Sequence, residues 1–158
     1  MKFREELTYD APPAQVRAML ADEGFRSEVC TYQRVLSHEV AITQEGAGMR
    51  VRIEQTQPAK GIPAFAAKFI GDTVEILQEE DWSGERAGDL SVTIPGKPGA
   101  LKGTIRLEET ATGTREVVEG DIKVSIPLVG GKIEKLIGDL LAAAIRAENT
   151  VGREWLAR

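Results

Sequence analysis

The 158-residue sequence has one histidine, one cysteine and few aromatic residues: two Trp, two Tyr and four Phe. Cys30 has no partner for an internal disulfide, which fits a reducing compartment, so we expect a cytoplasmic protein. With His38 as the only histidine, a zinc site would need carboxylates at unrecognisable spacing. Because Gly130-Gly131 and Lys132 lack the spacing and the Ser/Thr of a phosphate-binding loop, the sequence predicts no cofactor.

Long hydrophobic runs are also missing. No stretch approaches the ~20 apolar residues that a membrane-spanning helix needs. The first ten residues, MKFREELTYD, carry five charges, so we expect no secretory signal. The net charge of −5 argues against nucleic acid or an anionic membrane as the main partner. Without a repeat or a low-complexity linker, we expect one domain over residues 1–158.

Alternating apolar and polar residues predict a sheet of seven strands. Clean alternation means that one face of the sheet is buried and the other is exposed to solvent, which favours antiparallel pairing. Gly46-Ala47-Gly48 is typical of a hairpin turn, and Pro95–Gly99 of another turn. The predicted strands cover residues 2–9, 35–43, 49–55, 72–82, 89–95, 101–109 and 116–127.

Helical periodicity appears in four places. Two short helices are predicted after the first strand, over residues 13–22 and 25–32, and a short apolar helix within residues 61–71. A long helix from Lys132 to Leu156 closes the chain. Its apolar residues form one broad stripe: Ile133, Leu136, Ile137, Leu140, Leu141, Ala144, Ile145, Val151 and Trp155.

The widths of the sheet and the helix predict a cavity. Seven strands at ~4.8 Å spacing span roughly 30 Å, whereas one helix with its side chains is about 10–12 Å across. A sheet curled around one helix tends to leave a gap, and few aromatic side chains are available to fill it. Burial against a second subunit and tighter curling of the strands are the alternatives, and the oligomeric state stays open.

The element order resembles the helix-grip fold of the START-like superfamily, also called SRPBCC, which includes birch-pollen-allergen-like proteins and polyketide cyclases. Short stretches, FRSEVC, PAFAAKFIGDTVEILQEEDW and IPLVGGKIEKLI, resemble an actinobacterial branch of unknown function. The resemblance implies an α+β helix-grip fold with a seven-stranded antiparallel sheet around the C-terminal helix. It also implies a hydrophobic pocket between sheet and helix, often without catalysis.

Several polar residues interrupt the apolar pattern. His38 and Gln55 share the inward parity of their strands, and Gln78 shares that of the fourth. Glu148 falls inside the apolar stripe, where a carboxylate is costly unless it is paired. His38 is interpreted either as a core-edge residue whose ring nitrogens have backbone or water partners, or as a polar contact inside the pocket. Glu148 either lies in water where the helix has run past the sheet, or faces the cavity mouth or pairs with a buried base. Gln55 and Gln78 are interpreted as rim residues. Trp82 is interpreted as a packing anchor whose N–H is hydrogen-bonded.

The leading hypothesis is a protein that binds a small hydrophobic molecule, such as a lipid, polyketide or isoprenoid-like compound. Phe65 and Phe69 are placed near the mouth, where an apolar flap could gate entry. The other predicted ligand-binding residues are Leu36, His38, Val51, Ile53, Gln55, Ile105, Leu107, Val124, Leu140, Leu141 and Glu148.

Two rival hypotheses remain. A polyketide cyclase or dehydratase would use His38 or Glu148 as acid or base. A co-chaperone-like interaction module would have a filled core and a functional surface. We expect binding rather than catalysis, because acid–base chemistry normally needs two or more converging groups and the sequence shows no such convergence.

Overall fold

A computed structural model describes residues 1–158 and contains seven strands and four helices. The two short helices follow the first strand, and the longest helix ends the chain. In chain order the elements are β1 (Lys2–Tyr9), α1 (Pro13–Leu20), α2 (Glu23–Tyr32), β2 (Ser37–Glu45), β3 (Gly48–Pro58), α3 (Ala64–Ala67), β4 (Thr73–Trp82), β5 (Ala87–Thr93), β6 (Ala100–Thr110), β7 (Gly113–Lys123) and α4 (Gly130–Leu156).

All seven strands form one antiparallel sheet with the order β1-β7-β6-β5-β4-β3-β2. The predicted α+β helix-grip fold is therefore confirmed. Strands β2 to β7 follow one another as neighbours, and β1 returns to pair with β7. This order makes β1 and β2 the two edge strands, so residues on β2 lie farthest across the sheet from β1.

Local sequence explains where most elements begin and end. The hairpin between β2 and β3 turns at Gly46, which has φ of 63°, as predicted for this glycine-containing turn. Pro13 opens α1, where its fixed φ suits a first helical turn. The Asp22 side chain caps α2 by accepting hydrogen bonds from the backbone N–H groups of Gly24, at 2.8 Å, and Phe25, at 3.2 Å.

Most predicted boundaries are shifted by one to four residues, and two of these shifts lie at the connection to α4. The seventh strand ends at Lys123 rather than at Pro127, because the backbone N–H of Val124 donates to the Glu134 carboxylate at 2.9 Å. Helix α4 begins at Gly130, two residues before the predicted start. The two glycines therefore form its first turn rather than a cap before it.

The filled part of the core lies at one end of the sheet's inner face. There α1 packs against β6 and β7, and α2 packs against β2 and α4. Phe25 of α2 meets Trp155 of α4 edge-on, with ring centroids 5.5 Å apart. None of the helices is long and apolar enough to cross a membrane.

Helix α4 approaches the sheet mainly at β1 and β7. At Gly138 of α4 a Cβ would lie 2.6 Å from Cε of Met1, so glycine leaves room for the Met1 side chain beside β1, while Cδ1 of Ile122 on β7 would be at an ordinary contact distance of 3.4 Å. Strands β2 to β6 approach the helix less closely, as expected from the widths of the two layers. Space is left between them where α1 and α2 do not reach.

Candidate ligand cavity

That space is a cavity of about 520 Å³ between α4 and the inner face of strands β3 to β7. Of the 41 residues that line it, 27 are hydrophobic, so its surface is mostly apolar. Along α4 it extends from Ile133 to Glu148, a distance of about 22 Å at 1.5 Å per residue. Its size and character are those of a small-molecule pocket.

Seven of the predicted site residues lie in the cavity wall. Ile53 and Ile105 are buried on β3 and β6, whereas Leu140 on α4 is 55% exposed, at the cavity edge. The structure thus brings together residues from two strands, β3 and β6, from α4 and from the segment after α3. The wall residues are Ile53, Gln55, Phe69, Ile105, Leu140, Leu141 and Glu148.

Residues from the start of β2 do not reach this wall. Leu36 precedes β2 and is 60% exposed, and His38 is half-buried opposite Gln55 of β3. Alternation places His38 on the inward face of β2, but β2 is an edge strand and the cavity wall ends at β3. The wall of this cavity therefore does not include Leu36 or His38.

Four further predicted residues also lie outside the wall. Val51 and Leu107 are buried in the filled core at the end covered by α1 and α2. Val124 is buried in the turn before α4, beyond the end of β7. Phe65 of α3 is half-buried with the Lys132 ammonium 6.0 Å from its ring centroid, while Phe69 lines the cavity.

An ion pair that the sequence did not reveal closes the inner end of the cavity. Arg26 of α2 donates through both terminal nitrogens to Glu80 of β4, each at 2.9 Å, and both side chains are buried. Glu80 also accepts from the Trp82 indole N–H at 2.9 Å, which confirms the prediction for that residue. Gln78 donates to Glu80 as well, at 2.6 Å.

Opposing effects act on the Glu80 carboxylate. Burial alone would raise its pKa, but the positive charge of Arg26 and the hydrogen bonds from Arg26, Trp82 and Gln78 hold the pKa below its ordinary value. Arg26 is fixed in turn by its Nε, which donates to the Leu20 carbonyl at 2.8 Å. The pair is therefore ionised and fully hydrogen-bonded inside the protein.

Two more carboxyl groups share this end of the cavity and have much weaker partners. Glu148 of α4 lies 3.5 Å from the Arg26 guanidinium, and burial raises its pKa. Glu116 of β7 is 1% exposed, and no protein group donates a hydrogen bond to its Oε1. Burial, followed by the charge of Glu148, raises the pKa of Glu116 well above its usual range.

Strand parity could have revealed two of these residues. Glu80 shares the inward parity of Val74 and Ile76, and Glu116 shares that of Val118 and Ile122. Neither carboxylate is among the predicted site residues, because acidic residues are common on exposed strand faces. The spacing of α2 gives no comparable signal for Arg26, whose role depends on how α2 packs over the sheet.

The Cys30 thiol of α2 also lines the cavity, and its residue is 2% exposed. Burial raises the pKa of this thiol to about 11, so that it is protonated at neutral pH. We therefore regard Cys30 as part of the cavity wall rather than as a nucleophile.

Comparisons with solved structures support the fold. A Thermus thermophilus protein is 25% identical with a TM-score of 0.66, covering 98% of this chain and 95% of that one. A START superfamily protein from Mycobacterium smegmatis is 12% identical with a TM-score of 0.60, covering 98% and 97%. The di-domain ARO/CYC StfQ from the steffimycin biosynthetic pathway is 10% identical with a TM-score of 0.63, covering 97% of this chain and 49% of that one.

Sequence comparison places the chain in a family. An uncharacterised protein of Mycobacterium tuberculosis is 28% identical over 101 residues, which span 60% of this chain and only 58% of that relative. A family model described as "Protein of unknown function (DUF2505)" matches residues 4–156. The chain therefore belongs to the DUF2505 family.

Proposed function

We propose that residues 1–158 act as one domain that binds and carries a small hydrophobic molecule, such as a lipid, polyketide or isoprenoid-like compound. The observation that carries this proposal is the 520 Å³ cavity with its mostly hydrophobic wall. A pocket of this kind binds an apolar body by burial and orients it with a few polar groups. The single cysteine fits a reducing compartment such as the cytoplasm.

The segment around α3 fits the role of a gate. Ile62, Phe69 and Ile70 present apolar side chains to the cavity from the connection between β3 and β4. This connection contains only one short helix and lies at the end of the cavity opposite Arg26. Its movement would open a path for a ligand without disturbing the filled core.

A cyclase or dehydratase is the second candidate, because Glu116 and Glu148 converge at the inner end of the cavity and both have raised pKa values. A carboxyl group with a raised pKa suits acid–base chemistry near neutral pH. This candidate would use Glu148 rather than His38, since His38 lies outside the wall. The interaction module is the least supported, because it predicted a filled core.

Native mass spectrometry of the protein purified from its own organism, with solvent extraction of bound material, tests the proposed function. We expect a reproducible lipid-like adduct in the wild type and none in an Ile53→Trp variant, whose indole would occupy the wall beside β4. Leu36→Trp, at an exposed position outside the wall, is the matched control. A mass without any adduct, together with no binding of a hydrophobic dye, would argue against a ligand-binding cavity and favour the interaction module.

A further inference from the structure

The inner end of the cavity holds more negative charge than positive charge. Its charged cluster consists of one guanidinium, Arg26, and three carboxyl groups: Glu80, Glu116 and Glu148. Arg26 donates hydrogen bonds from both of its terminal nitrogens to Glu80, so the Glu80 carboxylate compensates the charge of the guanidinium. Glu148 receives only a long contact of 3.5 Å from the same guanidinium, and Glu116 receives none.

Glu116 is the residue that this arrangement leaves without a role. It is almost completely buried, it lines the cavity, and its Oε1 has no hydrogen-bond donor within the protein. A buried polar atom without a partner costs about 1–3 kcal/mol, and more if it is charged. On an ordinary strand an apolar residue would remove this cost, as Val118 does two positions later on the same face of β7. A carboxyl group held here is explained by a donor that arrives with a ligand.

We propose that Glu116 and Glu148 bind the ammonium group of an amphiphilic amine, whose hydrocarbon body lies along α4 toward α3. This inference rests on the proposed function. An ammonium group has three donors and one positive charge, and it would satisfy Oε1 of Glu116 while compensating the charge that Arg26 leaves uncompensated. A fatty acid would instead bring a fourth carboxylate into the cluster, and like charges in a dry site repel strongly.

Protons must move when the amine binds. Burial raises the pKa of both Glu116 and Glu148, which favours a proton on the pair when no cation is bound. The entering ammonium would take the place of that proton, which would pass to the buffer. Five titratable groups on the surrounding elements influence this exchange: Tyr9 of β1, Arg26 and Cys30 of α2, Glu80 of β4 and Glu148 of α4. Arg26 and Glu80 stay ionised, and Tyr9 and Cys30 stay neutral, because their pKa values lie far from neutrality.

Three amphiphiles that share one chain length and differ in their head groups test the inference. Dodecylamine, dodecanol and dodecanoic acid, below their aggregation limits, would each displace the neutral dye Nile red from the cavity at pH 7. We expect the amine to bind at least about ten-fold more tightly than the alcohol or the acid, as truncation of buried charge pairs commonly shows. Calorimetry in phosphate and in Tris, which differ in ionisation enthalpy, should report proton release for the amine and none for the alcohol.

Single substitutions distinguish the proposed ammonium site from the hydrophobic cavity as a whole. Glu116→Gln should weaken dodecylamine at least about ten-fold, abolish proton release, and leave dodecanol unchanged; Glu148→Gln is the second variant. Glu109→Gln on β6 removes the same charge from an exposed position and should change nothing. Equal affinities for the three head groups, or an unchanged dodecylamine affinity in the Glu116→Gln variant, would overturn the ammonium site but not the hydrophobic ligand cavity. No binding of Nile red or of any dodecyl compound would overturn both the ammonium site and the proposed ligand-binding function.

Discussion

Arg26 and Glu80 form a two-pronged ion pair in the protein interior, with both nitrogen–oxygen distances at 2.9 Å. The pair joins α2 to β4 and separates the filled core from the cavity. Each remaining polar atom of the pair meets a partner, including the Leu20 carbonyl and the Trp82 indole. Such a pair stabilises the fold only while both members are present, because either one alone would be a buried charge.

Breaking this ion pair should lower the stability of the fold strongly. Arg26→Met leaves Glu80 buried without its counter-charge, and we expect a loss of about 3–5 kcal/mol in the free energy of unfolding. Urea denaturation followed by circular dichroism measures this loss. Arg52→Met is the matched control, since Arg52 pairs with Glu54 on an exposed face and should cost less than about 1 kcal/mol. Equal costs for the two variants would contradict the structural role of the buried pair.

Glu116 should make the unliganded protein less stable as the pH rises. Its pKa is raised in the folded state, so the folded chain keeps the proton that the unfolded chain loses above about pH 4.5. Stability from this group is therefore complete below that pH and is lost as the pH rises through the folded pKa. Glu116→Gln removes this loss.

Thermal unfolding of the Glu116→Gln variant and the wild type from pH 4.5 to 8 measures the effect. We expect similar midpoints at pH 4.5 and a higher midpoint for the variant at pH 8. The gain should reach at least about 2 °C, the shift that ~1 kcal/mol produces in a chain of this size. Glu109→Gln should follow the wild type at every pH. A constant difference between variant and wild type across the range would show that Glu116 ionises normally.

The Cys30 thiol should report on the cavity. Because burial raises its pKa to about 11, only about one thiol in a thousand is ionised at pH 8. Ellman's reagent should therefore react at least about ten-fold more slowly with native protein than with protein in urea. Nile red should slow the native reaction further, since Cys30 lines the cavity. Acceleration by the dye would place it elsewhere on the protein.

His38 should be dispensable for ligand binding. It lies on edge strand β2, outside the cavity wall, so His38→Asn should change Nile red affinity by less than about two-fold, the range typical of surface substitutions. Fluorescence titration measures this affinity. A ten-fold loss in His38→Asn would mean that β2 curls into the site and would restore His38 as a candidate acid or base.

The sequence predicts the fold well because the fold depends on periodicity. Strand alternation and the stripe on α4 are local patterns, and seven strands with one long helix fit few architectures. The short helix near Phe65, predicted from an i, i+4 aromatic pair and a proline, is present as α3.

The site is harder to predict because the position of the cavity depends on sheet curvature and on where α1 and α2 pack. Val51 and Ile53 have the same parity on β3, yet only Ile53 lines the cavity, since α1 and α2 cover the other end. Parity alone cannot separate them. The pairing of Arg26 with Glu80 joins residues 54 positions apart in the chain, which no local pattern can specify.

A Nile red titration of the wild type, Leu141→Trp and Leu36→Trp tests the cavity most directly. Leu141 lines the cavity from α4, so an indole there should fill part of the space, whereas Leu36 is exposed outside the wall. With folding verified by circular dichroism, we predict that the dye binds the wild type and Leu36→Trp equally and binds Leu141→Trp at least about ten-fold more weakly. Equal affinity in all three proteins, or no binding by the wild type, would contradict a ligand cavity between the sheet and α4.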